Sequence, residues 1–223
     1  MFDDSVATEQ ITEYLRSLIK ENTGLLKELE EKALREYIPI ISPEVAQLIR
    51  LLTETTGTEK ILEIGSAIGY SSILFAGFSD KMKVTTIEMD EERAAQAEEN
   101  IARAGMKEKI TLIKGNALQV MDDITEEFDM VFVDAAKGQY NNFLPKCLKL
   151  LKPGGLLVSD NILYRGTVAE TGFIPRKHRT IIVNMKEYLK RLSEDEKLTT
   201  SIIPIGDGVA VSLKLRGVEP HKP

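Results

Sequence analysis

The chain of 223 residues carries one cysteine, Cys147, so an intrachain disulfide and a thiolate metal cluster are both excluded. Its run Phe143-Leu144-Pro145-Lys146-Cys147-Leu148 reads as helix with a packed thiol. There are two histidines, His178 and His221, and neither has a second histidine or cysteine at ligand spacing. No apolar run approaches the roughly 20 residues that span a bilayer. Met1-Phe2-Asp3-Asp4 lacks the basic-then-apolar order of a secretory signal, so a cytoplasmic protein without membrane contact is expected. Positive charge is not in surplus: the formal net charge of −6 excludes a surface coated in positive potential, though not a local basic patch. Internal repeats and low-complexity linkers are missing as well. What is present, 43% hydrophobic and 29% charged residues, describes an ordered soluble chain long enough for one domain with a substantial core.

The amino-terminal part, residues 1–40, carries two amphipathic patterns. Ile11, Leu15, Leu18 and Ile19 make one apolar stripe; Leu25, Leu26, Leu29, Ala33, Leu34 and Tyr37 make the other. Asn22-Thr23-Gly24 separates them. Such an added helical layer caps a site or joins two copies, and a homodimer is expected; a monomer mass in light scattering would remove that expectation.

Residues 41–216 then alternate. Short apolar strands are expected at Lys60–Ile64, Val84–Glu88, Ile110–Ile113, Phe128–Asp134 and Leu156–Ser159, the last after a Pro153-Gly154-Gly155 turn. Helices are expected at about Ser71–Phe78, Glu91–Ala104, Tyr140–Leu151 and His178–Leu192. Leu198–Ile203 and Val209–Leu215, joined by Pro204-Ile205-Gly206-Asp207-Gly208, form an antiparallel hairpin, and 217–223 is a tail. Strands alternating with helices imply a mostly parallel, Rossmann-like α/β sheet of seven strands covered on both faces.

Two acidic clusters end strands of that sheet: Asp134, and the Asp160-Asn161 pair. Ligands of open parallel sheets bind outside the carboxyl ends of the strands. Three oxygen donors there suit a hard divalent cation that keeps positions open for a substrate. A lone Asp160 would more often be a turn residue; its combination with Asn161 and Asp134 points to metal-assisted chemistry.

A second feature is the strand, turn and helix start Leu62-Glu63-Ile64-Gly65-Ser66-Ala67-Ile68-Gly69-Tyr70-Ser71. It departs from the dinucleotide pattern G-x-G-x-x-G, and Glu63 before the turn would repel a phosphate, so a ligand with a cationic amino group fits better. Glu88 ends the next strand, where a carboxylate accepts hydrogen bonds from ribose hydroxyls.

Together these segments resemble S-adenosylmethionine-dependent methyltransferases, and among them the metal-dependent O-methyltransferases related to catechol and caffeoyl-CoA enzymes. The resemblance runs from about Ile41 to Leu215 and is carried most specifically by Val131-Phe132-Val133-Asp134-Ala135-Ala136-Lys137-Gly138-Gln139-Tyr140 and by Asp160-Asn161. It implies Asp134, Asp160 and Asn161 as ligands of magnesium or another divalent cation, and Lys137 as general base, with Asp134 serving both metal and donor. Ile41, Glu63, Gly65, Ser71, Glu88, Asn116, Ala117 and Asp134 are implied donor contacts. Many relatives carry aspartate where this chain has Asn116. A metal of this kind favours an acceptor with two neighbouring oxygens.

Tyr164-Arg165-Gly166-Thr167-Val168 is expected at the mouth of the site, followed by the basic run Ile174-Pro175-Arg176-Lys177-His178-Arg179-Thr180. Arg165, Arg176, Lys177 and Arg179 are candidates for phosphate contacts, against the plainer reading of a helix start with solvated charges. Within the family the chain resembles bacterial enzymes that methylate 5-hydroxyuridine at the wobble position of tRNA, which implies an anticodon loop as partner. Its 5-hydroxyl and 4-carbonyl are a catechol-like pair. A small catechol or hydroxycinnamoyl acceptor is the alternative, and a non-catalytic binding module the third reading.

Overall fold

The computed structural model describes residues 9–170 and 176–217, with side chains from 10–170 and 178–217. Two short helices, α1 (Glu9–Ser17) and α2 (Gly24–Glu36), precede α3 (Pro43–Thr56). The alternating part follows as β1 (Lys60–Ile64), α4 (Tyr70–Ala76), β2 (Lys83–Glu88), α5 (Glu91–Arg103), β3 (Ile110–Lys114), α6 (Ala117–Asp123), β4 (Phe128–Val133), α7 (Tyr140–Leu150) and β5 (Leu151–Ser159). The long α8 (Arg176–Glu194) leads to the hairpin β6 (Leu198–Ile203) and β7 (Val209–Lys214). The sheet has seven strands in the order β3-β2-β1-β4-β5-β7-β6. β1 to β5 are parallel neighbours, and β7 lies antiparallel to both β5 and β6. The seven-stranded, mostly parallel sheet with its terminal hairpin is as expected from the sequence.

Strand order reverses between β1 and β4, the topological switch point where open α/β sheets bind ligands. The central strands are apolar because both faces are covered. Leu62, Ile64, Val131, Val133 and Leu157 pack with α6, α7 and α8 on one face. Ile61, Met130, Phe132 and Val158 pack with α2, α3, α4 and α5 on the other. Phe75 meets Phe132 edge-on with ring centroids 5.3 Å apart, locking α4 onto β4.

Three local expectations differ. The helices α3 and α6 are additions to the expected elements; α3 starts with Ser42-Pro43 and ends in left-handed Gly57, a recognisable proline-start, glycine-stop pattern. Pro153-Gly154-Gly155 is not a turn but part of β5, whose register against β4 shifts between Phe128 and Met130. A bulge absorbs the proline, which cannot donate to the ladder. α8 begins two residues before His178.

α1 is tied to α3 by Arg16, whose guanidinium reaches both oxygens of Glu44 at 2.7 and 2.9 Å. Tyr14, Leu15, Leu18, Leu34 and Tyr37 remain exposed in the single chain, so the stripes are only partly used within it. Among the described residues no helix is long and apolar enough to cross a membrane.

Candidate active site

The ladder continues one residue past several strand tips, and these residues form the site. Asp134 N–H donates to the Ile64 carbonyl at 3.1 Å, Asp160 N–H to the Val133 carbonyl at 3.0 Å, and Gly65 N–H to the Ile87 carbonyl at 2.9 Å. Gly65 has φ of 97°, and a Cβ there would stand 2.2 Å from the Asp134 carbonyl oxygen. Only glycine lets the first turn come this close to the tip of β4. Tyr140, fully buried, donates its hydroxyl toward the Asp160 carbonyl at 2.9 Å and the Val133 carbonyl at 3.2 Å, bracketing the β4 and β5 tips. The sequence motif includes this tyrosine without giving it a role; its position six residues after Asp134 is the available signal.

A cavity of about 740 Å³ opens at this switch point. Its wall includes Ile41, Gly65, Ser71, Glu88, Asn116, Ala117 and Asp134, seven of the eight expected donor contacts. Glu88 is held by backbone N–H groups of Ala67, Met89 and Asp90, each at 2.9 Å. A carboxylate has about four acceptor sites, so capacity is left for a ribose hydroxyl. Asn116 caps α6 by accepting from Leu118 N–H at 2.9 Å, which leaves its NH2 group for a base.

The eighth, Glu63, does not reach the cavity surface. In β1 it shares a face with Ile61, so alternation turns it under α4. Its Oε2 accepts from the Ser72 hydroxyl and, at 2.6 Å, from the Thr86 hydroxyl, while Oε1 has no hydrogen-bond partner among the described residues. Burial, only partly offset by Ser71, Ser72 and Thr86, pushes its carboxyl up to about 7. Direct contact with a donor amino group is therefore corrected to a buried carboxyl beneath the cavity floor.

A raised carboxyl means the folded state holds a proton that the unfolded chain releases above about 4.5. Glu63 thus contributes stability below that value, and the contribution is lost as pH rises through about 7, on the order of 3 kcal/mol in all. Urea unfolding of the donor-free protein should show stability falling from pH 5 to 8, less steeply in Glu63→Gln. An unchanged slope in the variant would contradict this.

Asp134, Asp160 and Asn161 meet at the strand tips. Asn161 Nδ2 donates to Asp134 Oδ1 at 3.1 Å, and Asn161 N–H to Asp160 Oδ1 at 2.6 Å. Asn161 sits at φ 57°, a left-handed conformation asparagine tolerates. Burial raises the Asp134 carboxyl, with Lys137 and Asn161 opposing; burial and then Asp134 push Asp160 up to about 7. Among the described residues no three His, Cys, Asp or Glu side chains are grouped for a metal. The set here is two carboxylates and one amide. It fits a hard cation: two crowded, desolvated carboxylates are relieved by positive charge, and turning the Asn161 amide offers a third oxygen.

A second cavity of about 540 Å³ adjoins, lined by Pro39, Lys137, Asn161, Tyr164, Arg165, Thr167, His178 and Asp207. Pro39, Lys137 and Asn161 line both cavities, so the two meet at the proposed base and metal group. Lys137 opens a 3-10 turn, Lys137–Gln139, just beyond Asp134. The Tyr164 hydroxyl and His178 Nδ1 are 2.7 Å apart, a contact that sequence reasoning missed. The loop from Asn161 to Gly166 is anchored on the β6–β7 connection: Ile162 N–H donates to the Gly208 carbonyl at 3.0 Å and Arg165 N–H to Asp207 Oδ1. Arg165 is thereby placed at the second cavity, whereas Arg179 is exposed without lining either. The side chains of Arg176 and Lys177, and His221, lie outside the described residues.

Comparison with known proteins agrees with this geometry. Residues 16–215 match the family model for O-methyltransferase. A catechol O-methyltransferase from Niastella koreensis is 31% identical over 73% of this chain and 76% of its own. Tapetum-specific methyltransferase 1 of Arabidopsis thaliana is 30% identical over 92% and 94%. A Staphylococcus aureus structure, provisionally named a caffeoyl-CoA O-methyltransferase, superposes with a TM-score of 0.87 at 35% identity, covering 92% of this chain and all of that one. TomG from Streptomyces achromogenes, solved with S-adenosylmethionine, gives 0.81 at 26% identity over 93% and 97%. Family match, fold and the strand-tip constellation converge: the chain belongs to the O-methyltransferase family.

Proposed function

We propose that this protein is a magnesium-assisted O-methyltransferase that moves the methyl group of S-adenosylmethionine to a hydroxyl standing next to a second oxygen. The observation that carries the reading is the seam: Lys137 and Asn161, beside Asp134, border both the cavity for the donor and the hollow for the acceptor. Gly65, Ser71, Glu88 and Ala117 would hold the donor, whose sulfonium would supply the methyl group. The acceptor hydroxyl gives its proton to Lys137, its oxygen takes the methyl carbon as the carbon–sulfur bond breaks, and the sulfur leaves as a neutral thioether. Magnesium held by Asp134, Asp160 and Asn161 would stabilise the ionised hydroxyl and orient both oxygens.

The names of the relatives favour a small catechol or hydroxycinnamoyl acceptor. A second reading, 5-hydroxyuridine in a tRNA anticodon loop, is favoured by the hollow itself. Arg165, Lys137 and His178 line it, side chains able to meet flanking phosphates. Both acceptors present the same pair of oxygens.

Assays with catechol, caffeoyl-CoA and an anticodon stem-loop bearing 5-hydroxyuridine separate the two. The small-acceptor reading expects kcat/KM for catechol or caffeoyl-CoA to exceed that for the RNA. The RNA reading expects the reverse, with turnover falling about tenfold or more when Arg165, Arg176, Lys177 and Arg179 become Ala, and steeply with salt. Failure to methylate any of the three with donor and magnesium present would overturn the proposal.

A further inference from the structure

The two amino-terminal helices have no part in the chemistry described so far, yet one cluster of three hydrogen bonds ties them to the donor cavity. Tyr70, the first residue of α4, is 4% exposed, and its hydroxyl donates to Glu30 Oε1 on α2 at 2.6 Å. Asn22, in the segment joining α1 and α2, donates through Nδ2 to the same Glu30 oxygen at 2.7 Å and to the Tyr70 hydroxyl oxygen at 3.1 Å. Three side chains from three separate segments close a triangle. Burial first, and Glu30 second, raise the Tyr70 phenol above its ordinary value, so it stays a donor.

The position of the triangle gives it a consequence. On one side, Tyr70 and Ser71 line the donor cavity at the start of α4, beside the turn Gly65-Ser66-Ala67. On the other, α2 ends in left-handed Tyr37, and the chain turns into Pro39, Ile40 and Ile41, which line the same cavity. Leu29, with Leu25 and Leu26, packs α2 into the core, whereas its other polar ties, Glu28 to Arg103 at 2.6 Å and Lys32 to Gln96 at 2.8 Å, join it to α5 on exposed or partly exposed side chains, where such pairs contribute little.

We propose that Asn22, Glu30 and Tyr70 form a latch that holds the α2 wall against the first turn of α4, so that Glu30 is a positioning residue setting how tightly the methyl donor is retained. With the latch open, the binding-competent arrangement is only fractionally populated, and apparent affinity falls by that fraction. The inference rests on donor binding in this cavity and not on the acceptor or the metal.

The test is titration calorimetry and stopped-flow dissociation with S-adenosylhomocysteine on the full chain. Glu30→Ala is expected to raise Kd about tenfold, chiefly through faster release. Glu30→Gln, whose amide oxygen still accepts from Tyr70, is expected to restore binding to within about twofold of wild type. Tyr70→Phe, which removes one oxygen and keeps the ring packing, should match Glu30→Ala, and the double variant should be no worse than either single one. In turnover assays KM for the donor should rise by more than kcat falls. A Glu30→Ala or Tyr70→Phe protein with lowered melting temperature but unchanged Kd would overturn the latch and leave a structural role only. Additive losses in the double variant would overturn it too. Wild-type protein that does not bind S-adenosylhomocysteine at all would instead defeat the donor site.

Discussion

Replacing Lys137 by methionine is expected to lower turnover at saturating donor and acceptor by about 10²- to 10⁴-fold, the usual span of a positioned acid–base group. Lys137 borders both cavities and its charge is felt by both Asp134 and Asp160. Two roles are thus open to it, proton acceptor or fixed positive charge, and Lys137→Arg separates them. The guanidinium keeps the charge but is not deprotonated in proteins, so a base role predicts that Arg is about as inactive as Met. Recovery in the Arg variant would assign Lys137 to electrostatics alone. Binding of S-adenosylhomocysteine should stay within about threefold in the Met variant, since a loss confined to kcat marks an interaction made in the transition state.

An effect of similar or larger size is expected from Asp160→Ala. Asp160 is buried at the tip of β5 and is absent from the wall of the donor cavity, whereas Asp134 lines it. Asp134→Ala would therefore damage donor binding and catalysis together, and Asp160→Ala would isolate the share of the proposed metal. A bound cation is worth several kcal/mol of charge stabilisation, which corresponds to about 10³-fold or more in rate. Donor affinity should be unchanged. The metal-free Asp160→Ala protein has one fewer crowded carboxylate beside Asp134, so it should fold normally.

The parts of this protein legible in its sequence are those written in local pattern. β1, β4 and the second half of β5 are mostly apolar because both faces are buried, and β2, β4 and β5 run into Glu88, Asp134 and Asp160 at the sheet's functional edge. That is why hydrophobic patterning alone assigns Glu88, Asp134 and Asp160 to that edge. What the pattern misses depends on direction or distance. Glu63 sits in the motif, but only the pleat and α4 show that it faces Ser72 and Thr86 beneath the floor. β5 absorbs Pro153-Gly154-Gly155, which reads as a turn, because its register shift lets the ladder resume beyond them. The Tyr164–His178 pair joins residues 14 apart, and the Asn22–Glu30–Tyr70 triangle joins residues up to 48 apart, neither with any periodic signal.

The proposed reaction at the seam depends on a divalent cation that Asp134, Asp160 and Asn161 would hold. Wild-type and Asp160→Ala proteins stripped with a chelator, then titrated with magnesium at saturating donor, give the direct comparison. Stripped wild type should be inactive and regain full turnover as magnesium is added, while Asp160→Ala should need far more magnesium and stay well below wild type. Full activity in the stripped wild-type protein, or identical magnesium curves for the two proteins, would contradict the account.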